Sequence, residues 1–423
     1  MLISTPRVAS EKVLITGITG FVAPYIAKKL VDENYQVTGL QLPRADFGKS
    51  KRLKAMGITS DIHIINGDVT DLTAILSAIQ RSQPDWIFHL AAQSFVPDSF
   101  RDPVRTFRVN CLGTLNILEA ARLKNVNPRI IFAGSSEEYG LQFKDADHLK
   151  TMRAKYGAGI EPVPKKYPEL PVDEESFFRP MSPYATSKLY GDITFRNYHN
   201  SFGLDTVVSR AFNHEGAGRG DHFVTSAIVR QLVLMHMNQL RVMKIGDVQS
   251  FRDWSHVEDI VDGYLLLALK GQAGLAYNQG SMRTYSVLSY ILYTISVLGY
   301  EINKIMTLEN DKIITSPLDP LELIIGSTHV ESNVIDDKMY RGELEYDLTD
   351  RGLLVETNKR SFKIEFEESR FRPSDVPILL SNTHKIKELG FESKRSLHDI
   401  IQDQINYYLN SENRNESMPE FPF

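Results

Sequence analysis

Val13-Leu14-Ile15-Thr16-Gly17-Ile18-Thr19-Gly20-Phe21 contains both halves of a strand-to-helix turn. Three consecutive apolar residues suit a short strand buried on both faces. The two glycines then fit a turn where backbone must approach a pyrophosphate, with the following helix N-terminus supplying donors and a positive dipole. Ala23 stands where a third glycine is usual and is small enough for close helix-strand packing. Residues 24–32 continue as an amphipathic stretch with Ile26, Ala27 and Leu30 on one face, and Pro24 suits a first helical turn. Gly17, Thr19, Gly20, Phe21 and Val22 are therefore candidate cofactor-binding residues.

Outward from this turn, residues 36–40, 62–65, 86–90 and 129–133 read as further strands, and 72–81 and 104–123 as helices. Such alternation predicts an α/β fold: a Rossmann-like, doubly wound parallel sheet with a smaller C-terminal α/β lobe. Residues 1–210, with a returning segment near 250–275, are expected to bind a dinucleotide. Residues 211–423 are expected to form mainly the substrate lobe, and 423 residues suffice for both. Two stretches break the pattern. Residues 141–180, with Pro162, Pro164, Pro168 and Pro171, read as a long surface excursion. Residues 311–370 are charge-rich and read as an unusual insertion with a hairpin around 361–366.

The composition, 42% hydrophobic and 24% charged, is that of a soluble globular protein. A net charge of -5 argues against a nucleic-acid surface. One cysteine, Cys111, excludes an internal disulfide framework and fits a reducing compartment. MLISTPRVASEK lacks a signal-peptide core, and no apolar run is long enough to span a membrane. A cytoplasmic protein is expected. No His, Cys and Asp cluster has metal-ligand spacing, so no metal is expected.

Asp68 and Val69 follow the third strand, where such folds grip adenine. The second strand ends in Leu40-Gln41-Leu42-Pro43-Arg44 without the acidic residue that would bind the ribose hydroxyls of NAD. Arg44, with Lys49, Lys51 and Arg52, can instead meet a 2′-phosphate, so NADP is preferred and NAD is the alternative. His89-Leu90-Ala91-Ala92-Gln93 offers small residues against a nicotinamide ribose, with His89 itself read as a satisfied strand histidine.

The chemistry is expected where the strand at 130–133 ends, in Gly134-Ser135-Ser136-Glu137-Glu138-Tyr139-Gly140, because ligands collect beyond the carboxyl ends of parallel strands. Ser135 can hydrogen-bond a sugar hydroxyl or ketone, and Glu137 can take a proton beside a carbonyl. Glu138 reads as a solvated turn residue. Downstream, Ser182-Pro183-Tyr184-Ala185-Thr186-Ser187-Lys188 sets a phenol and a lysine four apart on one helix face. The ammonium is expected to lower the phenol's pKa and make Tyr184 a base at neutral pH. Asn110 is either a helix-packing residue or one that orders the site's waters.

TGITGFVA, HLAA, SSEEYG, SPYATSK, Phe212-Asn213-His214-Glu215, Arg252-Asp253-Trp254 and Arg372-Pro373 follow one another as in the extended short-chain dehydrogenase/reductases that act on nucleotide sugars. The chain resembles that family from Lys12 to about Leu409. FNHEGAGRGDHFVT and SRFRPSDVPILL are similar to the GDP-mannose 4,6-dehydratases and the GDP-4-keto-6-deoxymannose reductases. The resemblance implies that Asn213, Arg252 and Arg372 bind the substrate diphosphate, and that Arg219 joins them or meets cofactor at a subunit contact. It implies a GDP-hexose substrate and a homodimer or homotetramer paired through helices near 104–123 and 184–202. The chain departs from the dehydratase pattern in Ser135, where threonine is usual, and in Ala227, where lysine is frequent. The leading expectation is a 4,6-dehydratase converting GDP-mannose to GDP-4-keto-6-deoxymannose. An NADPH-dependent 4-keto-sugar nucleotide reductase, an epimerase and a non-catalytic nucleotide-binding protein are the alternatives.

Overall fold

The computed structural model describes residues 11–43 and 51–414. Its first sheet has seven parallel strands, of which the first six in sequence are β1 (Lys12–Thr16), β2 (Gln36–Gln41), β3 (Ile62–Asn66), β4 (Trp86–His89), β5 (Arg129–Ala133) and β6 (Thr206–Ala211). The spatial order is Ala276–Gln279, β6, β5, β4, β1, β2, β3. The chain steps outward from β1 to β3 and then returns to place β4 on the other side of β1. That reversal opens a crevice beyond the carboxyl ends, where Thr16 lies opposite His89 and His89 opposite Phe132.

Both faces of the sheet are covered, as the apolar run at β1 requires. Val13 and Ile15 pack with the helices Val22–Asp32 and Val257–Lys270, whereas Leu14 faces Leu72–Ser82, Gly113–Leu123 and Pro183–Phe202. The Pro183–Phe202 helix has strong ends. Ser182 accepts a hydrogen bond from the Ala185 amide at 3.0 Å, proline occupies its first turn, and Gly203 closes it in the left-handed region. Residues 104–123, expected as one helix, are instead Pro103–Phe107, a π-turn at Arg108–Leu112, and Gly113–Leu123. A Cβ on Gly113 would lie 2.7 Å from Val69, so only glycine permits this approach.

Within the segment expected as an insertion, Pro320–Ile325 and Thr328–Asn333 pair as a separate hairpin, and strands on either side of it join the lobe's own sheet. In order, that sheet contains Ile313–Thr315, Ile302–Thr307, Gly352–Thr357, Ser361–Phe366 and Val242–Ile245. Leu353, Val355, Phe362 and Ile364 are fully buried from this stretch, while charged residues alternate outward. Residues 141–180 likewise differ from a surface excursion. Leu141, Phe143, Leu149, Met152 and Ile160 form a small core of their own. Beside it, the buried Arg179 guanidinium pairs with Glu169 at 2.8 Å and donates to the Leu141 and Pro162 carbonyls at 2.7 Å. No described helix is long and apolar enough to cross a membrane.

Candidate active site

Two cavities meet over the carboxyl end of the first sheet. The first is a groove lined by Gly17, Thr19, Gly20, Phe21 and Val22 from the turn, Asp68 and Val69 after β3, and Leu90, Ala91 and Ala92 after β4, with Tyr184 and Lys188 at its inner end. Gly17 has φ +70°, and a Cβ there would stand 2.9 Å from Ala91. The turn therefore touches the β4 loop backbone to backbone. Asp68 accepts from the Thr70 amide at 2.8 Å, whereas Asp71 caps the next helix. Gln41 and Leu42 line the groove at the end of β2.

Of the basic residues expected near a 2′-phosphate, Arg44 and Lys49 lie outside the described residues. Arg52 does something else. Its guanidinium donates to the Gly218 carbonyl at 2.8 Å and to Thr19 at 3.2 Å, tying the glycine turn to the loop before Arg219. Arg105 and Arg108, which the sequence reading passed over, line the groove instead. Their spacing of three along a helical pattern was the available signal.

The β4 end is rigidly held. His89 is fully buried between the hydroxyls of Thr16 at 2.9 Å and Thr114 at 3.1 Å, and burial pushes its pKa down to about 3. It is a neutral structural group. Asn110 accepts from the Gln93 amide at 2.8 Å, and its Nδ2 lies 3.0 Å from the Gln93 carbonyl and 2.9 Å from the Ser187 hydroxyl. It joins the β4 loop to the Tyr184 helix.

The second cavity is lined by Ser135, Glu137, Tyr184, Asn213, Arg219, Arg252 and Arg372, among others. Tyr184 and Arg219 border both cavities. The Arg219 guanidinium lies 3.6 Å from the Phe223 ring centroid and 5.1 Å from that of Phe21, with Glu215 at 3.5 Å. Asn213 Oδ1 is buried without a hydrogen-bond partner among the described residues, as a ligand-directed group would be. Arg252 and Arg372 both reach the Asp375 carboxylate, at 2.8 and 3.2 Å. Burial raises the pKa of Glu137, while Arg252 and then Arg372 act to lower it.

The electrostatics correct one expectation. Burial pushes the Tyr184 phenol up to about 12, opposed by a hydrogen bond with Ser135. Lys188 is itself buried, and desolvation lowers it to about 8. Its ammonium donates to the Ala133 carbonyl at 2.6 Å and stands 6.0 Å from the centre of the Tyr184 ring. The Lys188 ammonium is directed to backbone, and desolvation outweighs the expected tuning of the phenol. Glu138 is corrected too. It is fully buried, with its carboxylate accepting from the Ser135 amide at 2.7 Å.

The chain is 32% identical over 405 residues to a GDP-mannose 4,6-dehydratase of Vibrio cholerae, covering 93% of each protein. It is 28% identical over 399 residues to a GDP-mannose 4,6-dehydratase of Sinorhizobium fredii, covering 93% of this chain and 95% of that one. A GDP-6-deoxy-D-mannose reductase of Pseudomonas aeruginosa is 34% identical over 196 residues, 46% of this chain and 57% of that one. The fold is shared with UDP-glucose 4-epimerase from Bifidobacterium longum in complex with NAD+ and UDP, at a TM-score of 0.66 and 20% identity over 95% of this chain and 99% of that one. It is also shared with RMD from Pseudomonas aeruginosa complexed with NADPH, at a TM-score of 0.62 and 20% identity over 94% of this chain and 98% of that one. A model of the NAD dependent epimerase/dehydratase family matches residues 13–280, and the chain belongs to that family.

Proposed function

We propose that this protein is a nucleotide-sugar 4,6-dehydratase that converts GDP-mannose to GDP-4-keto-6-deoxymannose with NADP as resident cofactor. One observation carries the reading: Tyr184 borders the dinucleotide groove and the second cavity at once, with Ser135 and Glu137 beside it. The groove fits a dinucleotide because the glycine turn, Asp68 and Val69, and Leu90 to Ala92 line it together. Gln41 and Leu42 at the end of β2, and the cations of Arg105 and Arg108, favour NADP over NAD. Bound there, the nicotinamide would accept a hydride from the sugar and later return it.

The protein's residues handle the protons. Tyr184 takes the proton of the sugar 4-hydroxyl once the positive charge of an oxidised nicotinamide bound beside it offsets the burial that raises its pKa, and Ser135 hydrogen-bonds the oxygen that becomes a ketone. The ketone acidifies the 5-position, whose proton passes to Glu137. Burial keeps that carboxyl basic enough to accept it and then to protonate the departing 6-hydroxyl. As the hydride returns to the 6-position, the proton held by Tyr184 passes to the 5-position and the phenolate is restored. Asn213, Arg219, Arg252 and Arg372 would hold the diphosphate, where paired guanidinium groups match phosphate oxygens.

Incubation of the holoenzyme with GDP-mannose and no added reductant should yield a product lighter by one water, read by mass spectrometry. Glu137→Gln should abolish it, with at least ~100-fold loss of kcat. Stoichiometric consumption of added NADPH, with no water lost, would favour the ketone-reductase reading instead. The exposed apolar side chains of Val104, Leu123, Ile193 and Phe202 support pairing of two copies through the helices that carry them.

A further inference from the structure

The turn bearing Ser135 and Glu137 holds a second carboxyl, Glu138, that the chemistry above does not use. It is completely buried, and its Oε2 has no hydrogen-bond partner among the described residues. That oxygen stands 3.8 Å from Arg210 Nε. Its Oε1 accepts from the Ser135 amide at 2.7 Å and lies only 2.8 Å from where a Cβ on Gly134 would be. Glu138 thus underlies the 133–135 peptide from the protein side. The same peptide reaches the reacting pair: the Ala133 carbonyl accepts from the Lys188 ammonium at 2.6 Å, and the Ser135 side chain acts to lower the pKa of Tyr184.

We propose that Glu138 is a positioning residue for the Tyr184–Lys188 pair, bracing the 133–135 peptide and carrying a charge that both side chains feel. The inference rests on the reading of Tyr184 as the base.

Every element around Glu138 contributes a charged or titratable group. The helix Pro183–Phe202 supplies Asp192, Lys188 and Tyr184, and β6 supplies Arg210. Glu137 and Tyr139 flank it, and Glu174 lends its backbone carbonyl to Arg210 at 2.9 Å. Asp192 already takes Arg210 at 2.8 Å and Arg196 at 2.6 Å. Two carboxyls therefore face one buried guanidinium that is largely spoken for, and such a pair does not ionise together readily. Burial and then Asp192 push Glu138 up to about 8, against the pull of Arg210. The sign follows directly. Once ionised, Glu138 raises the pKa of both Tyr184 and Lys188, an effect its neutral form lacks.

Two variants separate brace from charge. Glu138→Gln keeps an acceptor for the Ser135 amide but cannot ionise, and Glu138→Leu removes both. With GDP-mannose as substrate, Glu138→Gln should shift the limb of kcat/KM that reports Tyr184 by about half a pH unit to lower pH. Glu138→Leu, leaving a buried amide unpaired, should lower kcat about tenfold with little change in KM. A readout independent of turnover is the infrared carbonyl band of a protonated carboxyl, present in the wild type near neutral pH, lost on the alkaline side, and absent from Glu138→Gln. Superimposable pH profiles, a folded Glu138→Leu protein with wild-type kcat, or a wild type lacking that band would each overturn the proposal. A wild type inert towards GDP-mannose would overturn the functional reading instead, and the infrared band would still decide this one.

Discussion

Arg252 has two tasks that a single substitution can expose. Its guanidinium lines the second cavity and pairs with Asp375, and it also holds down the pKa of Glu137 that burial raises. On the proposed mechanism the reactive form of Glu137 is the carboxylate, so activity should be lost as pH falls through its raised pKa. Arg252→Gln removes a favourable cation, and the acid limb of kcat/KM should move up by roughly half to one pH unit. The same change should raise KM for the nucleotide sugar about tenfold, from loss of a charge-assisted contact. A limb that stays in place, measured from pH profiles of both proteins, would contradict the assignment. Ser135, Glu137, Tyr184 and Lys188 were legible in sequence because each pair lies within one short motif. Glu138 and Asp375 were not, since their partners Asp192, Arg210 and Arg252 are remote in sequence and only the fold brings them together. A charge beside an apparent turn looks solvated until its surroundings are known.

At the level of elements, the glycine turn is the most demanding piece. Gly17→Ala would force a side chain into the left-handed region, costing about 1–2 kcal/mol, and would drive a methyl into Ala91. Dinucleotide affinity, measured by fluorescence titration, should fall about tenfold or more, with the protein still folded. The strands and helices around this turn were readable because burial on both faces leaves unbroken apolar runs. The two irregular segments were not. In residues 141–180 the apolar side chains are irregularly spaced and gather around an ion pair, so no period announces them. Glu169→Ala should strand the buried Arg179 guanidinium and destabilise the protein by about 3–5 kcal/mol. Thermal melting, with proteolysis of residues 141–180 followed alongside, would measure the loss. In residues 311–370 a period of two is present, but abundant charge on the outer face of the strands hides it.

For the whole molecule, the sequence located the sheet, its crevice and the turn within it. It left open how the second lobe closes over them, because those contacts join residues far apart in the chain. Val104, Leu123, Ile193 and Phe202 are at least half exposed on helices flanking the first sheet, with Val104 at 77%. Ile193→Glu should dissociate a dimer formed there, visible as a halved mass in analytical ultracentrifugation. An unchanged mass would move the interface elsewhere. The helix Pro183–Phe202 turns Tyr184 and Lys188 inward and Tyr190 and Ile193 outward. Self-association and proton transfer would then depend on a single rigid rod, and whatever loosens the contact between copies would also unsettle the aim of the phenol.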